Sequence, residues 1–256
     1  MRAPLPPVFL RRPIAHRGYH DRSQGRIENS TSAIRAAVDA GYGIEIDLQL
    51  SSDGQAMVFH DETLDRLTDQ SGPLNARTAA GLGLIRLKDS ADTIPTLPEV
   101  LALIAGRVPL LIEIKDQSRH LTDSDGEIEA ATARALRGYA GPVAVMSFNP
   151  HSMARMAKLA PDLPRGLTTC AFDPADWTPA DPATCARLRD IPDHDAVGAA
   201  FISHEVADLT RPRVAGLKAQ GTAILCWTIR SPETEASARK IAQNITFEGY
   251  AATIPA

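Results

Sequence analysis

Short apolar segments alternate with segments of helical composition along the chain. Eight apolar segments are candidate strands, at residues 13–18, 43–50, 110–116, 143–148, 166–172, 199–205, 223–229 and 244–249. Segments with helical spacing or composition lie between them, for example at residues 30–41, 97–106, 127–141, 149–161 and 210–221. Strand followed by helix, repeated along one chain, predicts parallel strand pairing. Eight such units favour an α/β fold of the (β/α)8 type, the TIM barrel.

An open, doubly wound sheet is the competing interpretation of the same pattern. No glycine-rich phosphate loop follows an early strand, which counts against the nucleotide-binding form of that sheet. The 256 residues also agree with one α/β barrel, which commonly takes about 250 residues. We therefore expect a single barrel domain over residues 1–256, and we predict no element for the proline- and aspartate-rich stretch 174–195.

The second apolar segment, GIEIDLQL at residues 43–50, alternates without a fault. Its apolar residues fall on one face, and Glu45, Asp47 and Gln49 fall on the other. Such an alternation ordinarily describes a strand with one face in the core and one in water. The alternative is that Glu45 and Asp47 face the mouth of an active site.

The segment AMVFHD at residues 56–61 also resembles a strand, but it follows the previous strand too closely for a parallel crossover. A hairpin is therefore predicted, and the connection contains Asp53-Gly54, a strong two-residue turn signal. With those two residues as the loop, Asp47 faces His60 on the neighbouring strand. Because facing residues lie on the same side of a β-ribbon, we expect His60 beside Asp47.

Composition and charge narrow the functional classes. The chain is 44% hydrophobic and 23% charged, which is typical of an ordinary soluble globular protein. Its formal net charge of −4, without a basic run, argues against nucleic acid or an acidic membrane surface as the main partner. No apolar stretch has the length of a membrane span, and the N-terminal segment lacks the features of a secretory signal, so we expect a cytoplasmic location without stable membrane association.

The three cysteines, Cys170, Cys185 and Cys226, are odd in number and show no CxxC spacing. This pattern indicates neither a disulfide framework nor a zinc site. We expect all three to be buried or incidental thiols.

Ionisable residues occur at the ends of three of the predicted strands. Since the C-terminal ends of barrel strands meet at one mouth, where catalytic residues collect, we expect these side chains to converge. A single charged pair on a strand is more often a solvent-exposed pair, but that interpretation weakens when three strands share the arrangement. The residues are His16 and Arg17, Glu45 and Asp47, and Glu113 and Lys115.

Three carboxylates without a cysteine or histidine cluster predict a site for one hard divalent cation, Mg²⁺ or Ca²⁺, rather than zinc. Arg17 and Lys115 beside that cation would give an acidic protein a locally positive pocket suited to phosphate. His16 and His60 would then supply one base and one acid for breaking a P–O bond. A small phosphodiester is the substrate class that this chemistry indicates.

With these residues in place, the sequence resembles the glycerophosphodiester phosphodiesterase family. The matching motifs are AHRG, ENS, GIEIDLQLSSDGQAMVFHDETLDRLT, IEIK, SF and WTI, in the family's order over roughly residues 14–229. The resemblance implies a TIM barrel that hydrolyses glycerophosphodiesters to glycerol 3-phosphate and an alcohol with one divalent cation. The nucleophile in such enzymes is water or the substrate's own glycerol hydroxyl, and both remain open here.

Residue roles follow from the resemblance position by position. It implies that Glu45, Asp47 and Glu113 bind the metal and that His16 and His60 are the acid and base, in an order left open. The residues that it implies for substrate binding are Arg17 and Lys115 at the phosphate, Glu28 of ENS at the metal or the glycerol, and Trp227 at the pocket wall.

Two departures from the family pattern bear on the substrate. The loop between Gly18 and Glu28 carries an additional histidine, His20, and several charges. The last strand lacks the family's TD-x-P sequence and reads NITFEGYAATIPA instead, which leaves glycerol recognition near that strand open.

Two other functions remain as alternatives. One is a phospholipase D or lyase-like activity on choline lipids, and the other is a catalytically silent barrel that binds phosphoesters. The sequence does not predict the oligomeric state.

Overall fold

The structure is a computed structural model, and it describes residues 2–255. Within that range, nine strands form one sheet: β1 (Ile14–Ala15), β2 (Gly43–Leu50), β3 (Ala56–Val58), β4 (Leu110–Ile114), β5 (Val143–Ser147), β6 (Arg165–Thr169), β7 (Phe201–Glu205), β8 (Ala223–Ile229) and β9 (Asn244–Phe247).

The helices connect these strands. They are α1 (Thr31–Ala40), α2 (Ala79–Leu82), α3 (Leu97–Ile104), α4 (Glu127–Leu136), α5 (Pro150–Leu159), α6 (Pro182–Leu188), α7 (Pro212–Ala219) and α8 (Pro232–Ala238). Short 3-10 helices occur at Pro7–Leu10, Arg22–Gln24, Leu74–Ala76 and Val206–Asp208. No helix within residues 2–255 combines the length and the apolar character needed to cross a membrane.

Eight of the strands are parallel and close into a barrel. The sheet runs in the order β1-β9-β8-β7-β6-β5-β4-β2-β3, and β1 also pairs with β2. That last pairing closes the circle, while β3 lies outside it as an antiparallel partner of β2. The predicted TIM barrel is therefore confirmed, and each of the eight predicted strand segments overlaps one of its strands.

Local sequence signals account for where the helices begin. Ser30 caps α1 by accepting a hydrogen bond from the Ala33 N–H, and Asn149 caps α5 ahead of a proline at the first helical position. Thr96 and Glu99 form a reciprocal capping box at α3. The stretch 174–195, for which no element was predicted, contains α6, capped by Asp181.

Two apolar clusters stabilise different parts of the molecule. The larger one lies between the barrel strands and the surrounding helices, where the outward-facing side chains of the strands are buried. The second apolar cluster lies mostly within residues 57–94 and contains Met57, Phe59, Leu64, Leu74 and Leu82 among others. This cluster packs the segment that follows the β2–β3 hairpin. The three cysteines are free and buried, as expected.

The hairpin register differs by one residue from the predicted one. The Ser51 N–H donates to the Gln55 carbonyl oxygen at 3.0 Å, so the loop contains three residues rather than the two that Asp53-Gly54 suggested. Gly54 closes the loop with φ of +72°, the left-handed conformation that three-residue hairpin loops require.

The prediction that Asp47 faces His60 is therefore wrong. Asp47 lies opposite Phe59 instead, whose N–H donates to the Asp47 carbonyl at 3.0 Å. His60 still reaches the mouth of the barrel, because β3 ends at Val58. Beyond that residue, strand alternation no longer decides the side to which a side chain points.

Candidate active site

Three carboxylates meet at the C-terminal ends of β2 and β4. Asp47 is paired with Glu113 in the parallel register, and Glu45 precedes Asp47 by two residues on the same face. One oxygen from each of the three lies within 4.8 Å of the others, and all three side chains are buried. The polar face of GIEIDLQL thus points into the barrel mouth. Oxygen donors so close together fit one hard divalent cation.

Two cations compensate the charge of this carboxylate cluster. Lys115 Nζ lies 2.9 Å from Asp47 and 2.6 Å from Glu113, and Arg17 Nε lies 3.4 Å from Asp47. The Arg17 Nε–H is buried and makes no hydrogen bond within the described residues. A free, buried donor beside the cavity fits an incoming anionic oxygen.

The same contacts separate the pKa values of the carboxylates. Burial alone would raise the pKa of Asp47, but the charges of Lys115, His60 and Arg17 outweigh it and hold that pKa far below its usual value. Glu45 is raised well above its usual pKa, by burial first and then by the neighbouring Asp47 and Glu113. The cluster therefore favours a negative charge at Asp47 and disfavours one at Glu45 until another positive charge arrives.

The HRG motif forms a tight turn at the end of β1. Arg17 has φ of +52° and Gly18 has φ of +79°, so two consecutive residues are left-handed. A Cβ on Gly18 would lie 3.0 Å from Ala33 of α1, so the turn needs glycine for its close approach as well as for its backbone conformation. The turn also directs the Arg17 N–H to Glu45 at 2.9 Å.

The ENS motif holds residues of the site in place through hydrogen bonds. Asn29 exchanges two hydrogen bonds with Asp47: its Nδ2 donates to the carboxylate at 2.9 Å, and its Oδ1 accepts from the backbone N–H at 3.2 Å. Glu28 accepts from Arg17 at 2.7 Å and from Arg66 at 2.7 and 2.8 Å. The Glu28 carboxylate is thus engaged by two arginines and is not among the cavity-lining groups.

His16 is held by a carboxylate from the far end of the chain. Its Nδ1 lies 2.5 Å from Glu248 Oε2, and Arg230 Nε donates to the other oxygen of Glu248 at 2.8 Å. With Nδ1 engaged, Nε2 is left to face the cavity, 4.0 Å from Glu45. Burial lowers the pKa of His16 despite the hydrogen bond with Glu248. His20 lies at the edge of this group, 3.6 Å from Glu248.

His60 has a similar arrangement at the same mouth. Its Nδ1 lies 2.7 Å from Asp61 Oδ1, and Arg66 donates to both oxygens of Asp61, at 2.6 and 2.9 Å. Burial acts to raise the pKa of Asp61, but His60 and Arg66 outweigh it and lower that pKa. Each histidine therefore has a carboxylate on Nδ1 and an arginine behind that carboxylate.

A cavity of about 730 Å³ opens above these residues. Its lining includes the carboxylates, the two histidines, Arg17 and Lys115. It also includes three half-buried aromatic residues, Phe148, Trp177 and Trp227, and Phe148 packs against both tryptophans. We call these three residues the aromatic wall.

The structure brings together most of the predicted site residues around this cavity. All of them except Glu28 line it, and Trp227 lies on its wall rather than in the barrel core. Sequence reasoning missed Glu248, Asp61 and Asn29. The signal for Glu248 was available, because it is an acid directly after the last barrel strand, the same rule that identified the other carboxylates.

Related sequences are known for most of the chain. The model of the glycerophosphoryl diester phosphodiesterase family matches residues 16–246. A glycerophosphodiester phosphodiesterase from Caldanaerobacter subterraneus subsp. tengcongensis is 35% identical over 163 residues, which are 60% of this chain and 65% of that protein. The chain thus spans just under two thirds of the length of that relative. Bovine glycerophosphodiester phosphodiesterase 1 is 34% identical over 122 residues, covering 43% of this chain and 36% of its own.

Solved structures share the fold over nearly the whole chain. A phosphodiesterase from Oleispira antarctica, solved in complex with the product sn-glycerol-3-phosphate, has a TM-score of 0.74 at 26% identity, covering 92% of this chain and 91% of its own. A putative glycerophosphoryl diester phosphodiesterase from Agrobacterium tumefaciens has a TM-score of 0.74 at 22% identity, covering 93% of each chain, and shows the likeness of the fold.

Proposed function

The chain belongs to the glycerophosphoryl diester phosphodiesterase family, and from that membership we propose that it hydrolyses glycerophosphodiesters to glycerol 3-phosphate and an alcohol. The observation that carries the proposal is the buried cluster of Glu45, Asp47 and Glu113 at the same barrel mouth as His16 and His60. The product named for the Oleispira antarctica structure, sn-glycerol-3-phosphate, is the product expected here. We propose that the chain acts as one barrel domain.

Glu45, Asp47 and Glu113 would hold one divalent cation, Mg²⁺ or Ca²⁺, since both take carboxylate oxygens. Such a cation supplies positive charge that offsets the charge developing on the phosphate oxygens. The Glu28 carboxylate, which the family resemblance places at the metal or the glycerol, supports this site by holding Arg17.

The positive side chains would receive the phosphate. Arg17 offers its free, buried Nε–H, and Lys115 offers an ammonium group with three donors next to the cluster. A half-buried cation that already compensates Asp47 needs little reorganisation to meet an anionic oxygen at the same place. Trp227 would contact the substrate from the wall of the cavity.

The two histidines would move the protons. One Nε2 takes the proton of the attacking hydroxyl as its oxygen bonds to phosphorus, and the other Nε2 donates a proton to the departing alcohol oxygen as the P–O bond breaks. Glu248 and Asp61 keep both Nδ1 atoms engaged, so the Nε2 atoms are the ones that exchange protons with the substrate. The attacking hydroxyl belongs to water or to the glycerol of the substrate, and in the second case the first product is a cyclic phosphate that water then opens to glycerol 3-phosphate.

The test is an assay of the purified protein with glycerophosphoglycerol, following glycerol 3-phosphate, with Mg²⁺, with Ca²⁺ and with a chelator. We expect turnover with a divalent cation and loss of turnover with the chelator. His16→Ala and His60→Ala should each abolish most of kcat, whereas His151→Ala, an exposed histidine on α5 without a side-chain partner among residues 2–255, is the matched control. Full turnover by the double variant His16→Ala/His60→Ala, or turnover insensitive to chelation, contradicts the proposal.

A further inference from the structure

The cavity lining contains polar groups that can receive the phosphate and the glycerol, and it also contains aromatic groups. Two buried hydroxyls, of Thr168 on β6 and Thr246 on β9, line the cavity and have no hydrogen-bond partner within residues 2–255. Free hydroxyls in a buried site fit the hydroxyl groups of glycerol, since each offers a donor and an acceptor. The aromatic wall is therefore left for the other alcohol of the diester.

The rings of the aromatic wall meet at large angles. The Phe148 and Trp227 ring centroids are 5.5 Å apart with an interplanar angle of 89°, and those of Phe148 and Trp177 are 4.8 Å apart at 60°. Trp227 is fixed in place because its Nε1–H donates to the Ser203 carbonyl at 2.9 Å. The three residues line the cavity, and aromatic faces attract quaternary ammonium groups.

A negative charge accompanies the wall. Asp176 lines the cavity directly before Trp177 and is exposed. Its side chain makes no ion pair or hydrogen bond with any residue that the structure describes, whereas the other cavity-lining carboxylates are engaged by neighbouring groups. A free carboxylate next to aromatic rings is complementary to a cation rather than to an acyl chain or an uncharged polyol.

From these contacts we propose that the aromatic wall and Asp176 bind a quaternary ammonium group on the leaving alcohol, so that the preferred diester carries choline. This inference rests on the proposed function, because it names the alcohol that the same site releases. The proposed source of the choline group is a water-soluble glycerophosphodiester, and the assay includes a lysolipid to test this.

The experiment measures KM and kcat for glycerophosphocholine, glycerophosphoethanolamine, glycerophosphoglycerol and lysophosphatidylcholine. We expect the lowest KM for glycerophosphocholine. Trp177→Leu should raise that KM about 10-fold, within the range that cation–π contacts provide at partly desolvated sites, and should raise the KM for glycerophosphoglycerol much less. Trp177→Phe, which keeps an aromatic face, should have a KM for glycerophosphocholine close to that of the wild-type protein.

Asp176→Asn should raise the KM for glycerophosphocholine about 3-fold, an effect that decreases with added salt because the carboxylate is exposed. The matched control is Asp162→Asn, which removes the same charge from an exposed position in the loop before β6, at the other end of the barrel. Equal KM increases for all substrates in Trp177→Leu overturn the inference and leave the proposed function standing. A KM for lysophosphatidylcholine well below that for glycerophosphocholine also overturns it, in favour of an acyl-binding wall.

A binding measurement separates failure of this inference from failure of the proposed function. Phosphocholine and phosphoethanolamine are titrated into the protein with a divalent cation present, and heat of binding is recorded. If no diester is hydrolysed, the proposed function fails, while tighter binding of phosphocholine that Trp177→Leu abolishes still supports the cation site. Equal affinity for the two ligands in the wild-type protein overturns it.

Discussion

His16 Nδ1 lies 2.5 Å from Glu248 Oε2, a contact between residues 232 positions apart. Glu248 follows β9 and His16 follows β1, and these strands are neighbours in the closed barrel. The atypical segment NITFEG therefore supplies the partner of a candidate catalytic histidine. Burial acts to raise the pKa of Glu248, but the hydrogen bonds of His16 and His20 outweigh it, so the glutamate remains ionised.

We expect Glu248→Gln to lower kcat about 10- to 100-fold, part of the roughly 10²- to 10⁴-fold that general acid–base catalysis contributes. The amide can still contact Nδ1, but it no longer stabilises a charged imidazole. KM should change little, because Glu248 is placed to act on the histidine rather than on the substrate. Steady-state kinetics check this, with Glu233→Gln, an exposed glutamate on α8, as control. An increase in KM at constant kcat would contradict the positioning role.

Binding of a divalent cation should stabilise the fold. A cation at 100 times its dissociation constant adds about 2.7 kcal/mol to the free energy of unfolding. Glu113→Gln should abolish most of that increase, since it removes one of the three carboxylates. Glu127→Gln, at an exposed glutamate on α4, should retain it. Thermal unfolding with Mg²⁺, with Ca²⁺ and with a chelator measures the effect, and an equal increase in both variants would place the cation elsewhere.

The buried His204 should make the fold less stable in mild acid. Its Nδ1 lies 2.7 Å from Thr169 Oγ1 and its Nε2 lies 3.2 Å from the Asp208 carbonyl oxygen, and burial lowers its pKa. The His204 imidazole therefore binds a proton more readily in the unfolded chain than in the folded one. Because of this, the free energy of unfolding is unaffected by His204 above about pH 6.5 and decreases below that pH, by up to about 1.4 kcal/mol per pH unit.

Chemical denaturation between pH 5 and pH 8 tests this dependence. His204→Gln should show a smaller decrease below pH 6.5 than the wild-type protein, whatever its stability at pH 8. His151→Gln, which alters an exposed histidine, should keep the wild-type slope. Identical slopes in all three proteins would rule out His204 as the titrating group.

The hairpin loop depends on the left-handed conformation of Gly54. No atom lies within 4 Å of a Cβ built there, so the cost of Gly54→Ala comes from its φ of +72° alone. We expect a loss of about 1–2 kcal/mol in the free energy of unfolding, and a smaller loss for Gly54→Asn. Gly216 in α7 also has open space but no positive φ, so Gly216→Ala should instead stabilise by about 0.5–1 kcal/mol. Urea unfolding compares the three variants.

The sequence predicted the barrel because each strand is a short apolar segment and segments of helical composition lie between the strands. It also predicted the meeting of Glu45, Asp47 and Glu113, since parallel strands bring the ends of β2 and β4 to the same edge. The position of His60 was predicted for the wrong reason. A dipeptide such as Asp53-Gly54 signals a turn without fixing whether two or three residues close it.

Other parts of the site depend on contacts that local patterns do not contain. Glu28 was expected at the metal or the glycerol, yet its partners Arg17 and Arg66 lie 11 and 38 residues away. The pairing of His16 with Glu248 arises because the barrel closes, which brings the two ends of the chain together. Trp177 lies in a stretch for which no element was predicted.

The site residues are held in place by two different parts of the molecule, the barrel and the second apolar cluster. The three carboxylates are fixed by the barrel, whereas His60 lies in the segment that packs through Phe59 and Leu64. We therefore expect substitutions of Phe59 or Leu64 to act first on the alignment of His60. The groups that move protons and the groups that would bind the cation thus depend on packing in different parts of the chain.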